Sequence, residues 1–399
     1  HQVVQADNYY PVGMRWKTIE GNTTHVATAT ANRIRHMVEY QIDNGAFGTT
    51  KKMLQMRTDG TNGTIWEIGT GTAVEVTGPV LTNTQTVLWD TTVFQGIMLM
   101  ASAESLLQET SDGVTRISTV SAPTSPQFVE AWKNRVFVVI PTSPLVVRYS
   151  ADGDRNTWTG TDSGTETITS PVGDVCTGIR SVENYLAFFT RRTITVLIGD
   201  HPDDWTKRTL FEDHGCSSHR TFAKVNGGIV YANDQGVWLL SAEMKRLELS
   251  KDIRQYWQNF EDSSTKRNKA RGRFMHAVYD PTPGFNRYLI WVSEGTSTKE
   301  DVCWIYHFNS GAWTRMISFM DTDQTSQSSA LREDTSGNIQ TYFSTGADDI
   351  TTSDKKTYKV SNASSFASKT GGDIASTLKT KIFTSLFIPQ DKLFGIMQV

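Results

Sequence analysis

Three side chains that could bind a metal ion lie close together in the sequence: His214, Cys216 and His219. A structural zinc site needs four ligands of this kind, usually at recognisable spacings. No fourth ligand at such a spacing is evident. We therefore interpret the segment as a connection between strands, and the sequence predicts no metal site.

A second polar segment runs from Ser150 to Trp158 and contains Asp152, Gly153 and Asp154. It is similar to a calcium loop and to the Asp-box turn of sialidase-type propellers. A calcium loop needs further oxygen ligands and a final acidic residue, which are missing. In the Asp-box comparison the glycine lies one position early and the tryptophan one late. A glycosidase needs an acid and a nucleophile at a suitable separation, and spacing identifies no such pair.

The common motifs of nucleotide-binding enzymes and serine hydrolases are also absent. The chain has no Gly-x-Ser-x-Gly elbow and no Gly-Lys-Ser/Thr phosphate loop. Gly69 and Gly71 are not followed by the third glycine and the helix of a dinucleotide site. The sequence therefore predicts no catalytic residue, no cofactor and no enzyme activity.

The candidate binding site is a basic loop, defined by Lys266, Arg267, Lys269, Arg271 and Arg273. Basic side chains on one loop can gather along the phosphates of a nucleic acid. The alternative is a loop that only contacts solvent, since no aromatic residue is interleaved for base stacking. If the loop faces DNA, replacing Arg271 and Arg273 with Ser should leave folding intact but weaken genome retention.

The elements that must position this loop are short apolar runs, clearest between Tyr185 and Leu240. Two runs flank Arg191 and Arg192, and two more flank the turn from Asn233 to Gly236. Each pair of runs is typical of a β-hairpin. Similar hairpins begin near residues 64, 97, 136, 185, 229, 288 and 339. A repeat of roughly 40–50 residues is typical of the four-stranded blades of a β-propeller.

The predicted fold is all-β: a β-propeller of about six to seven mostly four-stranded antiparallel blades, spanning 31–362. Residues 1–30 are polar and aromatic, and they predict an extended N-terminal arm that could close the ring. The β-like runs in 363–399 predict the start of a C-terminal β extension that is incomplete within this sequence.

One helix signal interrupts the β pattern. Ser250 could cap a short helix whose Ile253, Tyr256, Trp257 and Phe260 lie at helical spacing. We expect this apolar stripe to pack onto the ring.

Composition narrows the class of protein further. The 399 residues carry a net charge of −3 and are 38% hydrophobic, which is typical of a globular protein and disfavours a globally basic nucleic-acid binder. No apolar run approaches the roughly 20 residues of a membrane span. The three cysteines are widely separated, which argues against a disulfide framework and is compatible with a reducing compartment. The N-terminal residues show no signal-peptide pattern.

Several segments between about 145 and 255 share the pattern of one known group of proteins. They combine an Asp…Trp turn, a hairpin ending in Gly, a Gly-Cys segment, and a Gly-Gly hairpin followed by a Gly-Val-Trp strand: Tyr149–Trp158, Ile179–Phe189, Ile194–Gly199, Gly215–Arg220, Val225–Tyr231 and Gln235–Leu239. In these segments the chain resembles the β-propeller tail proteins of tailed bacteriophages, including the tail-nozzle and packaged-DNA stabilisation proteins of short-tailed phages.

The resemblance implies a structural virion protein without catalytic residues. It would be made in the host cytoplasm and located in the virion tail, as a ring of copies below the portal that extends the DNA channel. It would help to retain the packaged genome until ejection. The implied partners are copies of itself, the phage connector or adaptor, tail-fibre proteins and the double-stranded DNA in the channel. The basic loop would face either the channel or a neighbouring subunit.

Two other classes of function stay open at this point. A glycan-binding or glycan-cleaving propeller, receptor-binding or sialidase-like, would need a pocket rich in carboxylates and aromatic rings. A cellular interaction propeller of the WD type would repeat Trp-Asp dipeptides, of which the chain has one, at Trp89 and Asp90.

Overall fold

A computed structural model of the chain describes most of the residues between 33 and 346 and short strands on either side. The described residues are 3–7, 9–12, 15–18, 22–26, 33–43, 49–69, 72–82, 87–171, 173–258, 265–317, 325–334, 336–346, 357–360 and 377–380. Phe260, most of the loop predicted near 346–356 and most of the predicted C-terminal extension lie outside them.

The described chain forms a seven-bladed β-propeller of mostly four-stranded antiparallel sheets. Four strands precede the first blade: β1 Val3–Asp7, β2 Tyr9–Val12, β3 Arg15–Thr18 and β4 Asn22–Val26. Blade 1 contains β5 Arg33–Asp43, β6 Thr49–Thr58, β7 Asn62–Ile68, β8 Ala73–Glu75 and β9 Leu81–Thr82. Blade 2 contains β10 Asp90–Phe94, β11 Ile97–Ala101, β12 Gln108–Thr110 and β13 Ile117–Ser118. Blade 3 contains β14 Phe128–Trp132, β15 Arg135–Val139, β16 Val146–Tyr149 and β17 Gly164–Thr167.

The remaining blades follow in chain order. Blade 4 contains β18 Cys176–Val182, β19 Tyr185–Thr190, β20 Ile194–Ile198 and β21 Thr206–Phe211. Blade 5 contains β22 Ala223–Val225, β23 Gly228–Ala232, β24 Val237–Ser241 and β25 Arg246–Glu248. Blade 6 contains β26 His276–Asp280, β27 Arg287–Val292, β28 Val302–His307 and β29 Ala312–Met316. Blade 7 contains β30 Thr325–Glu333, β31 Ile339–Gly346 and β32 Thr357–Val360, and the last strand is β33 Thr377–Thr380.

The ring is closed by the N-terminal segment. Strand β4 pairs antiparallel with β32 and becomes the fourth strand of blade 7. Strand β1 adds to the outer strand of blade 6 and also pairs with β33. The segment that the sequence predicts as an extended arm is thus a set of strands, and its last strand joins the two ends of the ring.

The blades pack face to face, which explains the continuous apolar runs seen in the sequence. Every described residue of β15, β19, β23 and β27 is buried, because the second strand of a blade is covered on both faces by its neighbours. Between blades 1 and 2, for example, Tyr40 and Leu54 pack with Trp89 and Met98 in one apolar cluster. The first strands lie innermost, and at five of the seven blade boundaries the first strands of the two blades contact each other.

The predicted repeat is confirmed, with one shift. Six of the seven predicted hairpins are the second and third strands of a blade, but the hairpin near residue 64 is the third and fourth strand of blade 1. The second strand of that blade is β6, which carries Lys51 and Lys52 and so lacks an apolar run at its start. The blade itself begins at Arg33.

The described helices are short. Four are 3-10 helices, at Pro202–Asp204, His219–Thr221, Lys251–Ile253 and Lys269–Phe274, and one is an α-helix at Arg254–Gln258. Among the described residues, no helix has the length and apolar character needed to cross a membrane.

The helix predicted after Ser250 forms in part. Ile253, Tyr256 and Trp257 are buried in a cluster with residues of blades 5 and 6, as predicted. The prediction that Ser250 caps the helix is wrong, since its side chain makes no cap hydrogen bond. The Ser250 hydroxyl instead accepts a hydrogen bond from the backbone N–H of Val237, at 3.0 Å, because it is buried against β24.

Candidate functional site

A cavity of about 680 Å³ opens at one end of the propeller axis. It lies where the chain enters the innermost strands of blades 2 to 6 and where the second and third strands of these blades turn. The lining therefore comes from five blades and includes Phe128, Thr177, Ser218 and Asn233. Its position on the axis makes it the candidate functional site.

The charged lining of the cavity comes partly from the predicted basic loop. Lys269 and Arg273 line it together with Arg191, and the carboxylates of Asp213 and Asp234 face them. The carboxylate of Asp234 is already paired with the Arg267 guanidinium, at 2.9 Å. Arg191, Lys269 and Arg273 therefore make this end of the axis cationic.

The rest of the basic loop has structural roles, so the loop is not one continuous phosphate-facing patch. Arg267 is fully buried and stacks on the ring of Trp257. Arg271 pairs with the buried Glu300 at 2.7 Å. Lys266 is half-buried and does not line the cavity. The expectation that Arg271 can be replaced without loss of folding is not supported, because its replacement would leave a buried carboxylate without its ion pair.

Ion pairs join the innermost strands. Asp90, Glu130 and Arg180 are largely buried, whereas the Lys224 side chain is 61% exposed. Asp90 of blade 2 accepts hydrogen bonds from the Arg180 guanidinium of blade 4, one of them at 3.0 Å. Glu130 of blade 3 lies between them in sequence and pairs with Arg180 at 3.7 Å and with Lys224 of blade 5 at 3.2 Å. These four side chains tie blades 2 to 5 together at their inner edges.

The electrostatics of Asp90 follow from this arrangement. Burial alone would raise the pKa of its carboxyl, but the Arg180 charge and its hydrogen bonds outweigh burial and hold the pKa below the usual value. For Arg180, burial alone would lower the pKa, and the carboxylates of Asp90 and Glu130 raise it instead. Both groups are therefore charged in the fold at neutral pH.

The axis itself is crossed by the segment that leads into blade 5. His219 donates a hydrogen bond from Nε2 to the backbone oxygen of Trp89 in blade 2, at 2.9 Å, and its ring contacts Phe128 edge-on. The Arg220 guanidinium donates to the backbone oxygen of Gln327 in blade 7. At this level the propeller axis is thus closed by buried side chains, whereas Val93 and Lys224, on the innermost strands β10 and β22, are exposed.

Blades 1, 6 and 7 complete this filling. Arg35 donates to the side-chain oxygen of Gln327 at 2.9 Å, and His36 bonds the hydroxyl of Thr91 at 3.1 Å. His276 lies between two serine hydroxyls of blade 7, at 3.1 Å from Ser326 and 2.9 Å from Ser329. Every blade therefore contributes polar side chains to the axis.

The segment Gly215–Arg220 has a clear structural reason for its glycine. A Cβ atom at Gly215 would overlap the backbone carbonyls of Thr190 and Arg191. The next residues are held from both sides, since the Ser218 hydroxyl donates to the backbone oxygens of Arg273 and Met275. The segment is packed too tightly for a side chain at its first position.

Replacing Gly215 with Ala is expected to lower the free energy of unfolding by roughly 1–3 kcal/mol, because backbone atoms must move to admit the methyl group. Urea unfolding of the purified protein measures the change. Gly69→Ala is the control, since its Cβ would meet the side chain of Thr72 at 3.1 Å, and that side chain can rotate. Equal midpoints for the two variants would contradict the tight packing at Gly215.

The residues considered as metal ligands are each engaged elsewhere. His214 contacts the side chains of Gln235 and Asn233, and the Cys216 thiol contacts backbone oxygens of Ser218 and Ala232. Burial lowers the pKa of His214 to about 4 and raises the pKa of Cys216 to about 12, so the ring is neutral and the thiol protonated. Among the described residues, no group of three or more His, Cys, Asp or Glu side chains is placed to hold a metal ion.

The segment Ser150–Trp158 also forms a structural turn. The Asp154 carboxylate accepts hydrogen bonds from the Asn156 backbone, at 2.8 Å, and the Thr157 hydroxyl, at 2.7 Å. Arg155 pairs with Glu109 of blade 2 through two hydrogen bonds of 2.9 Å. The turn thus links blade 3 to blade 2.

Sequence reasoning missed the axial residues. Each is one polar side chain within or beside a short apolar strand, such as Asp90 after Trp89 and Glu130 after Val129. The repetition of such lone charges near the start of successive blades is a signal that could have identified them.

These features define a closed seven-bladed β-propeller with a filled axis and a cationic cavity at one end. No known protein family and no curated protein matches the chain. Among solved structures, the chain is similar to the WD40 domain of Neurospora crassa Pan2, with a TM-score of 0.49 at 10% identity, over 88% of this chain and 98% of that one. It is also similar to the computationally designed Ika8 protein, with a TM-score of 0.42 at 12% identity, over 84% of this chain and 99% of that one. The fold assignment rests on the seven sheets themselves.

Proposed function

We propose that this protein is a structural component of a bacteriophage tail. In this proposal, copies of the propeller form a ring around the DNA channel and help to retain the packaged genome until ejection. The protein performs no reaction of its own in this role.

The observation that carries the proposal is the filled axis. Polar contacts beside the axis involve residues of blades 1, 2, 3, 4, 6 and 7 and of the segment that leads into blade 5. That segment, Gly215–Arg220, is one of those that resemble phage tail proteins. A propeller whose centre is packed is a stiff block with short edge strands, and such blocks can be arrayed without edge-to-edge aggregation. The DNA channel must then lie between copies, since duplex DNA cannot pass through a filled axis.

The cationic cavity supplies the contact with DNA in this proposal. Lys269, Arg273 and Arg191 lie on one end of the block, and basic side chains bind phosphates without regard to sequence. A ring that turned these ends toward the channel would hold the duplex by many weak, exchangeable contacts, which suits a genome that must later leave.

We expect the double variant Lys269→Ser, Arg273→Ser to fold normally and to bind duplex DNA more weakly, with a salt dependence lower by about one unit per residue. Binding of a random-sequence duplex between low and high salt measures the slope. Lys133→Ser with Lys251→Ser, which removes the same charge elsewhere, is the matched control.

An unchanged slope in the Lys269 and Arg273 variant would remove the DNA contact from this cavity. The role in the tail is tested separately, by electron microscopy of the purified wild-type assembly and of the particle. A ring of copies around a central channel is expected. Particles without this protein on the tail axis would refute the proposed function.

A further inference from the structure

The large apolar side chains exposed on the surface are concentrated on one part of the rim. Six of them lie at the outer edges of blades 1 and 2, and we call them the rim patch: Val74, Val80, Leu106, Val114, Ile117 and Val120. Val80 is 88% exposed and Val120 is 62% exposed. Among the described residues, Val93 and Leu247 are the large apolar side chains with comparable exposure elsewhere.

The rim patch is continuous across the boundary between the two blades. Thr77 donates to the backbone oxygen of Val114 at 3.0 Å, and Arg116 donates back to Thr77 at 2.8 Å, so the segment after β8 lies beside the segment before β13. The backbone bond from Thr119 to Leu107, at 2.8 Å, brings Val120 beside Leu106. The patch therefore runs from β8 to the end of blade 2.

A surface of this kind is unusual for a free monomer. Apolar patches of more than a few hundred Å² on soluble proteins mark interaction sites. Here six branched side chains are about half exposed or more, and the outer strand of blade 2, β13, has only two residues to shield the edge.

The other side of the propeller carries a complementary surface, which we call the basic rim: Arg208, Lys245, Arg246 and Leu247. All four are exposed, on the outer strands of blades 4 and 5 or the turn before β25. The Arg246 guanidinium lies over the ring of Phe211 at 4.7 Å, which connects the two blades into one surface. Leu247, the apolar residue of the basic rim, is 52% exposed.

The net charges of the two surfaces have opposite signs. Exposed Glu75 and Asp112 accompany the rim patch, whereas the basic rim has three exposed cations and, beside them, the exposed carboxylates of Glu212 and Glu243. Two such surfaces on one chain can bind each other only between different copies.

We propose that the rim patch of one copy docks onto the basic rim of the next copy, head to tail. This inference rests on the proposed function and names the surfaces that would build its ring. The two surfaces lie three blade positions apart on one side of the propeller and four on the other. Each copy is therefore turned relative to the last, and a heterologous contact with such a turn can close into a ring.

The test uses two variants of the whole chain. The patch variant carries Val80→Asp and Val120→Asp, and the rim variant carries Arg208→Glu and Lys245→Glu. All four positions are exposed, so we expect both variants to keep the wild-type unfolding midpoint. Each should weaken self-association at least about 30-fold, since charges would enter the apolar contact or repel its acidic side. Val93→Asp, an exposed valine outside the patch, is the matched control and should assemble as the wild type does.

Mixing the two variants is the decisive step. In a head-to-tail contact the patch variant keeps an intact basic rim and the rim variant keeps an intact patch. Sedimentation of the equimolar mixture should therefore show a dimer that does not grow, while each variant alone stays monomeric.

Three results would overturn the inference. A rim variant that dimerises alone would show a patch-to-patch contact, a mixture that stays monomeric would show that these surfaces do not meet, and a wild-type protein that stays monomeric at high concentration would show that another partner covers the patch. None of these three results shows where the protein lies in the particle. The proposed function is tested by that position. Rings that persist in both variants would refute this interface and leave the proposed function standing.

Discussion

Replacing Asp90 with Ala lowers the free energy of unfolding by roughly 3–5 kcal/mol, the usual cost of removing one partner from a buried ion pair. The reason lies in what is left behind. Asp90 is completely buried, and its carboxylate accepts hydrogen bonds from the Arg180 guanidinium and from the backbone N–H of Val129, at 3.1 Å. Without it, the longer contact with Glu130, at 3.7 Å, is the ion pair that remains to Arg180 among the described residues, beside a hydrogen bond to the Ile179 backbone oxygen.

Urea unfolding at neutral pH measures this loss. The matched control is Asp200→Ala, which breaks the ion pair with Lys133 at the surface, where the Asp200 side chain is 80% exposed. That variant should stay within the scatter of ordinary surface substitutions. Asp90→Asn, which keeps the shape and one acceptor, should fall between the two.

The result bears directly on the proposed function. If Asp90→Ala costs no more than Asp200→Ala, water reaches the axis and solvates the remaining Arg180 charge. The propeller would then be an open ring with a wet centre, and the argument that the channel lies between copies would fail.

The fold class could be predicted from sequence because its signal is local and repeated. The second strands of the blades are buried on both faces, so runs such as Tyr185–Phe189 are continuously apolar and recur in each blade. The first blade departs from the pattern because β6 begins with polar and basic residues. The hairpin that the sequence predicts near residue 64 is therefore the third and fourth strand of this blade and not the second and third.

The tight turns between strands are a further local signal of the repeat. The turns between the first and second strands of blades 2 and 3 have two residues with positive φ, Gln95 with Gly96 and Lys133 with Asn134. This geometry favours Asn and Gly, and the same residue types recur at Asn226 and Gly227 before β23.

The closure of the ring shows what sequence could not supply. Strand β4 pairs with β32, which lies at the other end of the described chain. The extended, polar character of residues 1–30 predicts an arm that could close the ring. The register of β4 cannot be predicted in this way, because it depends on a partner strand that is distant in sequence.

The basic loop shows a second limit. A run of basic residues predicts charge, but not which charges are neutralised. Arg267 pairs with Asp234 and Arg271 with Glu300, and in both cases the partner is about thirty residues away and is brought close by the blade arrangement. Lys269 and Arg273 line the cavity, and a run of basic residues does not predict this division of roles.

The second large effect is expected from pH. Among the described residues, four histidines are buried, His214, His219, His276 and His307, and a fifth, His36, is partly buried. Burial lowers the pKa of His36 and His307 to about 3 and of His214 and His219 to about 4, and it places the pKa of His276 well below the usual value. All five rings are therefore neutral in the fold, whereas in the unfolded chain they gain protons below the ordinary pKa of 6.5.

The sign of the effect follows from this difference. As pH falls from about 6.5 to about 4, the unfolded state binds protons on these rings and the folded state does not. The free energy of unfolding is therefore highest above about pH 6.5 and decreases as the pH falls from there to about 4. Each histidine contributes about 1.4 kcal/mol per pH unit inside the window. Five together approach the whole stability of an ordinary domain within about two units. Below this range Asp90, whose pKa is lowered in the fold, adds a further loss as it is protonated.

We therefore expect the urea midpoint to fall steeply between pH 7 and pH 5, with unfolding complete above pH 4. His307→Gln should reduce the slope of unfolding free energy against pH by about 1.4 kcal/mol per unit, because it removes one proton from the balance. Its hydrogen bond to the Thr314 hydroxyl, at 2.9 Å, can be kept by an amide. His201→Gln, at a side chain that is 58% exposed, is the surface control against which the His307→Gln slope is compared. A flat stability profile from pH 7 to pH 5 would mean that the buried rings accept protons in the fold, which requires water beside the packed axis and contradicts a solid propeller.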